Sequence, residues 1–524
     1  MTARDAPTER HECDDVDPDV AAPCADEEHS TSGLSLQIVD SIQIILTALM
    51  LAFMLRAFFI EAFIIPTGSM APGLLGRHAV QVCPNCGLQF DYGPAGSLDG
   101  FTPPNQTFCP NCHVQIEVQP EKVGVRSGDR ILVHKWPYVL GGFLAPKRWD
   151  VFVFRDPADP SQNFIKRVVA LPNESIEVVD GDLYIMAPGA SEHHIARKTR
   201  AAQSMLWFNV FNQNFLPRDN TAPDHPPAWV AERNAAGRQN VGWSNMHLRV
   251  IRHDASDDTV HALRFDPDGS RYYMQDVYAY NHGSGGNYVG DVRILTEMHP
   301  LGGDGWLQFQ INRDGDSFKA RIHADGEAVL SATRADQASS ELEIGTATVA
   351  PLAGARPCII EFGHLDYRVY LKIDGRVILA TDDQQYSPNL SVLRTTHRIK
   401  PVEIRLSASN LTFELSGLRV DRDVHYAYSR SNTLRAYPSH PFALGDDEYF
   451  AMGDNSPNSH DSREWFQVGP HLEHALKADE YQVGAVRANQ IVGRAFFVYL
   501  PSLLPISEES RWRIPDLGRV RFIR

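Results

Sequence analysis

DVFVFRDPADPSQNFIKRVVALPNESIEVVDGDLYI, Asp150 to Ile185, is the stretch whose reading decides the fold. Val151 and Val153 alternate with Phe152 and Phe154, and Asp180-Gly181 is a hairpin signal between β-branched runs. The stretch predicts antiparallel strands. Within NFIKRVVAL, period-2 alternation puts Phe164, Lys166 and Val168 on one face and Ile165, Arg167 and Val169 on the other. One of the two cations must then have an apolar neighbourhood. An ammonium set among Phe and Val loses hydration, which lowers its pKa toward neutrality and fits it to act as a general base. The ordinary alternative is a lysine that snorkels from a half-exposed strand, and on local pattern alone that alternative wins.

A base needs a nucleophile. FIIPTGSMAPGLLG, Phe63 to Gly76, places Ser69 between glycine and methionine, but a serine hydroxyl is weak until another group takes its proton. Far downstream, YFAMGDNSPNSHDSREWFQVGP, Tyr449 to Pro470, packs Gly, Asn, Asp, Ser and Pro too densely for a helix or a regular strand. Phe450, Trp465 and Phe466 suggest that this polar loop is pinned against a core, which makes it a site candidate.

The 524 residues, 43% of them hydrophobic, are ample for two or three folded domains. A formal charge of -16 with no basic stripe argues against a nucleic-acid partner. Residues 1–35 are rich in Asp, Glu, Pro and Ser and nearly lack bulky apolar residues, so they are expected to form a disordered acidic tail. The segment from Ser41 to Leu55 carries no charge, and its apolar flanks extend it to about 20 residues or more, enough to cross a bilayer. A buried core helix fits less well behind a polar tail, and a cleaved signal peptide fits less well this far into the chain. Arg4 and Arg10 on one side against Arg56 and Arg77 on the other leave the orientation open.

Taken together, these stretches resemble the type I signal peptidases, membrane-anchored serine proteases with a Ser-Lys dyad. RAFFIEAFIIPTGSMAP is similar to the family's nucleophile box, GDRILVHKWPY to the next box, DVFVFRDP with FIKRVVALP to the lysine box, and GDNSPNSHDSR to the family's GDNxxNSxDSR. QIVGRAFFVYLP is similar to its closing strand. The resemblance implies Ser69 as nucleophile, Lys166 as general base, and Thr67 with the Ser69 N–H as the oxyanion site. It also implies that Ser459 bonds and orients the lysine, and that Asp461 and Arg463 form a supporting ion pair. Partners implied are preprotein signal peptides with small residues before the cut and the lipid bilayer. The implied location is the inner (cytoplasmic) membrane, single-pass, with the catalytic domain on the exported side. Three places depart from the family pattern: Trp149 replaces a glycine, Asn173-Glu174 replaces Gly-Asp, and Ser456-Pro457 stands where many members have Arg-Asp.

Two insertions interrupt the resemblance. The first contains CPNCG (Cys83, Cys86) and CPNCH (Cys109, Cys112), two matched knuckles whose spacing favours a structural zinc ribbon. Two disulfides are the alternative, strengthened by an exported location, and a redox-cycling pair is a third. The second, residues 187–437, shows many short alternating strands, among them WLQFQI and a hairpin at Asp374-Gly375. These predict a β-sandwich, faintly similar to concanavalin and laminin-G sandwiches.

The expected architecture is therefore mainly β, with a single N-terminal transmembrane helix at 36–60. The catalytic β domain is assembled from 61–78, 121–186 and 438–505, interrupted by the ribbon at 79–120 and the sandwich at 187–437, and followed by a tail at 506–524. No cofactor is expected for catalysis. A membrane-tethered sandwich that binds glycan or protein on an inactive peptidase scaffold is the second reading.

Overall fold

The computed structural model describes residues 30–93, 104–119, 124–218, 227–233, 242–254, 257–266, 272, 274–280, 284–335, 340–352, 356–396, 400–428, 433–505 and 513–523. The chain divides into two units at Phe58–Phe59. Most of the expected acidic tail lies outside the described residues.

The first unit is a helix, Ser30–Phe58. It begins six residues before the expected span and ends two before it. Its stretch Gln37–Phe58 has 22 residues at a mean hydropathy of 2.2, and all of them are exposed. At 1.5 Å per residue this spans about 33 Å, the thickness of a bilayer core.

The second unit is mainly β. The sheet that carries the lysine strand runs in the order Ile60–Ile64, Arg130–His134, Ile491–Leu500, Val151–Arg155, Asn163–Ala170, Glu448–Met452 and Val486–Arg487. The strand Val151–Arg155 shows why the alternation matters: Val151 and Val153 enter one core with Ile65, Met70 and Val133, while Phe152 and Phe154 enter another with Val168 and Trp465. Because both faces are covered, the lysine strand beside it, Asn163–Ala170, buries Lys166 and Arg167 together rather than one of them. A smaller sheet pairs Ser175–Val179 with Asp182–Met186 at the Asp180-Gly181 turn, as the hairpin signal predicts.

The segment 506–524 is more than a tail. Residues 506–512 lie outside the described set, but Arg521–Phe522 pairs with the closing strand and Ile523 is buried in the catalytic core. The sequence signal was weak because only one bulky side chain is committed inward. The edges of the second insertion are also catalytic-domain structure: His194–Ile195 pairs with Asp182–Met186, and Ala202, Leu206, Val424 and Tyr426 pack with Val169, Ile176 and Phe450.

Between those edges stands the predicted all-β insertion. Two long antiparallel strands, Val292–Arg313 and Glu403–Arg422, form its spine and share a core that includes Trp229, Phe309, Phe362 and Phe413. The ribbon is a pair of hairpins, Ala79–Val82 with Gln89–Tyr92 and Gln106–Phe108 with Gln115–Glu117, each turned by one CPNC knuckle. The two turns close alike, Gly87 N–H to Cys83 O at 2.9 Å and His113 N–H to Cys109 O at 2.9 Å. The residue after each knuckle takes positive φ, 78° at Gly87 and 58° at His113.

Candidate active site and metal centre

Ser69 sits in a single 3-10 turn, Gly68–Met70, buried against the lysine strand. Lys166 Nζ donates to Ser69 Oγ at 2.7 Å. Those two residues, 97 positions apart in sequence, are brought together as expected. Lys166 is 4% exposed, and its Nζ lies 5.7 Å from the centroid of the Phe164 ring. Burial lowers its pKa from 10.5 to about 8; Asp461 opposes the shift, Arg463 adds to it, and Asp454 opposes it again. The loss of water outweighs the two nearby carboxylates because each is already paired, Asp461 with Arg463 and Asp454 with Arg167.

The Ser69 turn is fixed from several directions. Asn455 N–H donates to Ser69 O at 3.0 Å, and Asn455 Nδ2 donates to Gly68 O at 3.1 Å. Leu75 N–H donates to Asp129 Oδ2 at 3.0 Å, tying the segment to the box that begins at Gly128. Glycine is required there: a Cβ at Gly128 would stand 1.8 Å from Ile65 O. Thr67 Oγ1 lies 3.5 Å from Ser69 Oγ, on the edge of hydrogen bonding.

Asp461 and Arg463 form the expected pair, with Arg463 Nε to Oδ1 at 2.8 Å and Nη2 to Oδ2 at 2.7 Å. Burial pushes Asp461 up, but the Arg463 guanidinium overcomes it and holds the carboxyl below its usual range. Gly453 N–H also donates to Asp461 at 3.1 Å, so the pair shapes the loop around Ser69. Ser459 differs from expectation. Its hydroxyl is buried without a hydrogen-bond partner among the described residues and does not bond Lys166. It lies instead against Gly453, where a Cβ would meet Ser459 Oγ at 2.2 Å.

Two functional neighbours escaped the sequence reading. Arg167 is buried and forms a bidentate pair with Asp454, Nε to Oδ1 at 2.8 Å and Nη2 to Oδ2 at 2.7 Å. The signal was the cation next to Lys166 together with the aspartate of the GDN motif. Asn455, the next residue of that motif, is the second.

The four ribbon cysteines also converge. All four Sγ atoms lie within 4.8 Å of one another, with Cys83–Cys112 and Cys86–Cys109 both at 3.5 Å. A tetrahedral zinc–thiolate shell at about 2.3 Å per bond has sulfur edges of about 3.8 Å, whereas a disulfide needs about 2.05 Å. The residues present fit a metal ion. A second group, Asp182, Asp291 and Asp366, is also close enough to share an ion. There, however, Arg313 pairs with Asp291 at 2.7 Å and Lys198 pairs with Asp366 and with Asp423, so positive charge is already built in.

A profile described as signal peptidase, peptidase S26, matches residues 111–228 and 403–500. Over these two segments the chain resembles the peptidase S26 family. The gap in this S26 match, residues 229–402, holds the spine strand Val292–Arg313 but not Glu403–Arg422, so the matched domain is split by most of that insertion. Among curated relatives, Signal peptidase I of Pseudomonas fluorescens is 30% identical over 145 residues, 28% of this chain and 36% of its own length. Signal peptidase I of Rickettsia bellii is 25% identical over 136 residues, 26% of this chain and 35% of its own length. The chain thus spans about a third of the length of the curated relatives it matches. Among solved structures, a carbohydrate binding module, CBM66, from Bacillus subtilis aligns with 37% of this chain and 95% of its own at 9% identity, with a TM-score of 0.23.

Two of the departures from the S26 pattern are explained by backbone. Trp149 holds φ 76° and Asn173 φ 63°, the left-handed region where glycine is at ease. Trp149 is kept there by its own contacts: its Nε1 donates to Arg197 O at 3.0 Å, at the start of the sandwich insertion. The third departure supplies a new partner, because Ser456 Oγ accepts from Arg463 Nη1 at 2.9 Å.

Proposed function

We propose that this protein is a membrane-anchored serine endopeptidase that removes signal peptides from exported preproteins. The observation that carries this reading is the 2.7 Å contact between a buried, desolvated Lys166 and Ser69. Neutral Lys166 accepts the Ser69 proton as Oγ attacks the scissile carbonyl, and the resulting ammonium delivers it to the leaving amine. The acyl-enzyme is then hydrolysed by water with Lys166 again as base. The Ser69 N–H and the Thr67 hydroxyl stabilise the oxyanion, a contribution of roughly 3 kcal/mol per donor. Asp461, Arg463 and Ser459 support the dyad by shaping the loop from Gly453 to Ser462.

Ile60–Ile64 is an edge strand of the catalytic sheet and leaves one side open to an extended peptide. Substrates with small residues before the cut, such as Ala-x-Ala, fit this reading, presented by their own membrane helix. The apolar helix Gln37–Phe58 supports a single-pass membrane anchor; in this reading the membrane is the inner one and the catalytic domain lies on the exported side. Cys83, Cys86, Cys109 and Cys112 hold a structural zinc ion; that ion orders the ribbon and takes no part in the chemistry.

Processing of a preprotein in membranes by the parent, Ser69→Ala and Lys166→Met tests the reading. The parent is expected to cleave and both variants to fall to background. Equal processing by all three sinks it.

A further inference from the structure

Tyr280 belongs to the sandwich insertion, between the strands Gln275–Val277 and Ser284–Tyr288, yet it touches the nucleophile turn. Its backbone holds φ 71°, a conformation that a bulky residue keeps only when its surroundings force it, and such forced residues cluster at functional sites. The side chain is 5% exposed. Its ring fills a hollow made by two glycines from two other parts of the chain. A Cβ at Gly68, next to Ser69, would stand 2.3 Å from Tyr280 Cε2, and a Cβ at Gly93, just past the ribbon strand Gln89–Tyr92, would stand 2.6 Å from Cδ2.

The hydroxyl adds a directional contact, accepting from Gly76 N–H at 2.9 Å, while the ring stacks on His78 at 6.3 Å between centroids. The neighbouring Ala279 N–H donates to Asn455 Oδ1 at 3.0 Å, and Asn455 Nδ2 donates to Gly68 O. Gly68 is thus held both by the Tyr280 ring and by Asn455, and Asn455 is in turn bonded to Ala279 beside Tyr280. Tyr280 also packs with Ala71 and Leu75, on the far side of Ser69.

We propose that Tyr280 is a positioning residue for Ser69, so that the sandwich insertion completes the active site rather than hanging from it. The inference rests on Ser69 being the nucleophile. A turn of three residues has little rigidity of its own, and an error of about 1 Å in a reacting atom costs about 100-fold in rate. Tyr280 adds to the restraint from Asn455 and Asp129 by its volume against Gly68 and by its bond to Gly76.

The test is preprotein cleavage by the full-length chain in proteoliposomes, with kcat and KM measured separately and folding followed by thermal melting. Tyr280→Ala is expected to lower kcat about 100-fold with KM unchanged. Tyr280→Phe keeps the ring and loses only the acceptor for Gly76, so a loss of about 10-fold is expected. Gly68→Ala should impair the parent strongly but add nothing in the Tyr280→Ala background, because its obstacle is gone. Parent-like kcat in Tyr280→Ala, a loss confined to KM, or additive losses in the double variant overturn the proposal. If Tyr280→Ala does not fold, kcat of Tyr280→Phe decides, and a parent-like value overturns it. Failure of the parent itself to cleave sinks the peptidase reading, whereas an active parent with indifferent Tyr280 variants sinks only this inference.

Discussion

At Lys166 the demands of stability and of chemistry oppose each other. The amine is fully enclosed, and its pKa is lowered from 10.5 to about 8 by burial. Between those two pH values the unfolded chain binds a proton that the folded chain does not. Stability therefore falls as the pH drops from about 10.5 to 8, and the deficit persists at lower pH. A methionine fills similar volume without a charge to desolvate. Lys166→Met is expected to be inactive and yet to melt higher than the parent at pH 7, with the gap closing as the pH is raised toward 10.5. A variant that melts well below the parent at pH 7 would show that Lys166 is there to hold the fold. Arg167 presents the contrasting case: it is equally buried but paired in bidentate fashion with Asp454, so its charge is retained. Neighbours in sequence thus take opposite solutions because they face opposite sides of one strand.

Among the elements, the nucleophile turn depends on backbone approaching backbone. A Cβ at Gly128 would lie 1.8 Å from Ile65 O, and backbone cannot yield as a side chain can. Gly128→Ala is expected to cost at least about 3 kcal/mol, read as a fall in the melting temperature of the full chain. An unchanged melt would mean that the close approach of Gly128 to Ile65 O is not formed in solution. The strands themselves were legible, since alternation at Val151–Phe154 and the Asp180-Gly181 turn translate directly into sheet geometry. The convergence of Ser69, Lys166, Asp461 and Arg463 was legible only through the family resemblance, because no local pattern links residues 97 positions apart. Ser459 was misread as a ligand of the lysine. A hydroxyl's presence near a site is visible in a motif, but its direction depends on packing against Gly453. Tyr280 could not have been found at all, because its role is defined by two glycines that the sequence places some 190 to 210 residues away.

Across the whole molecule, the ribbon ties the catalytic domain to the sandwich. Asn111, inside the second knuckle, accepts from Asn212 N–H at 2.6 Å and donates to Phe215 O at 2.7 Å. Asn85, inside the first, accepts from Arg218 N–H at 2.9 Å. A metal that sets the knuckles therefore also sets the sandwich against the nucleophile segment. Metal analysis is expected to give one zinc per chain with no disulfide among the four ribbon cysteines, and chelation is expected to lower the melting temperature. Two disulfides and no zinc would refute that arrangement. The central claim is that an uncharged Lys166 activates Ser69, and the pH dependence of preprotein cleavage by the full-length chain in bilayers tests it most directly. The predicted result is a kcat/KM that rises with pH through an inflection near 8, where Lys166 loses its proton. A rate that is flat from about pH 6 to 10, or one that falls as Lys166 deprotonates, would contradict it.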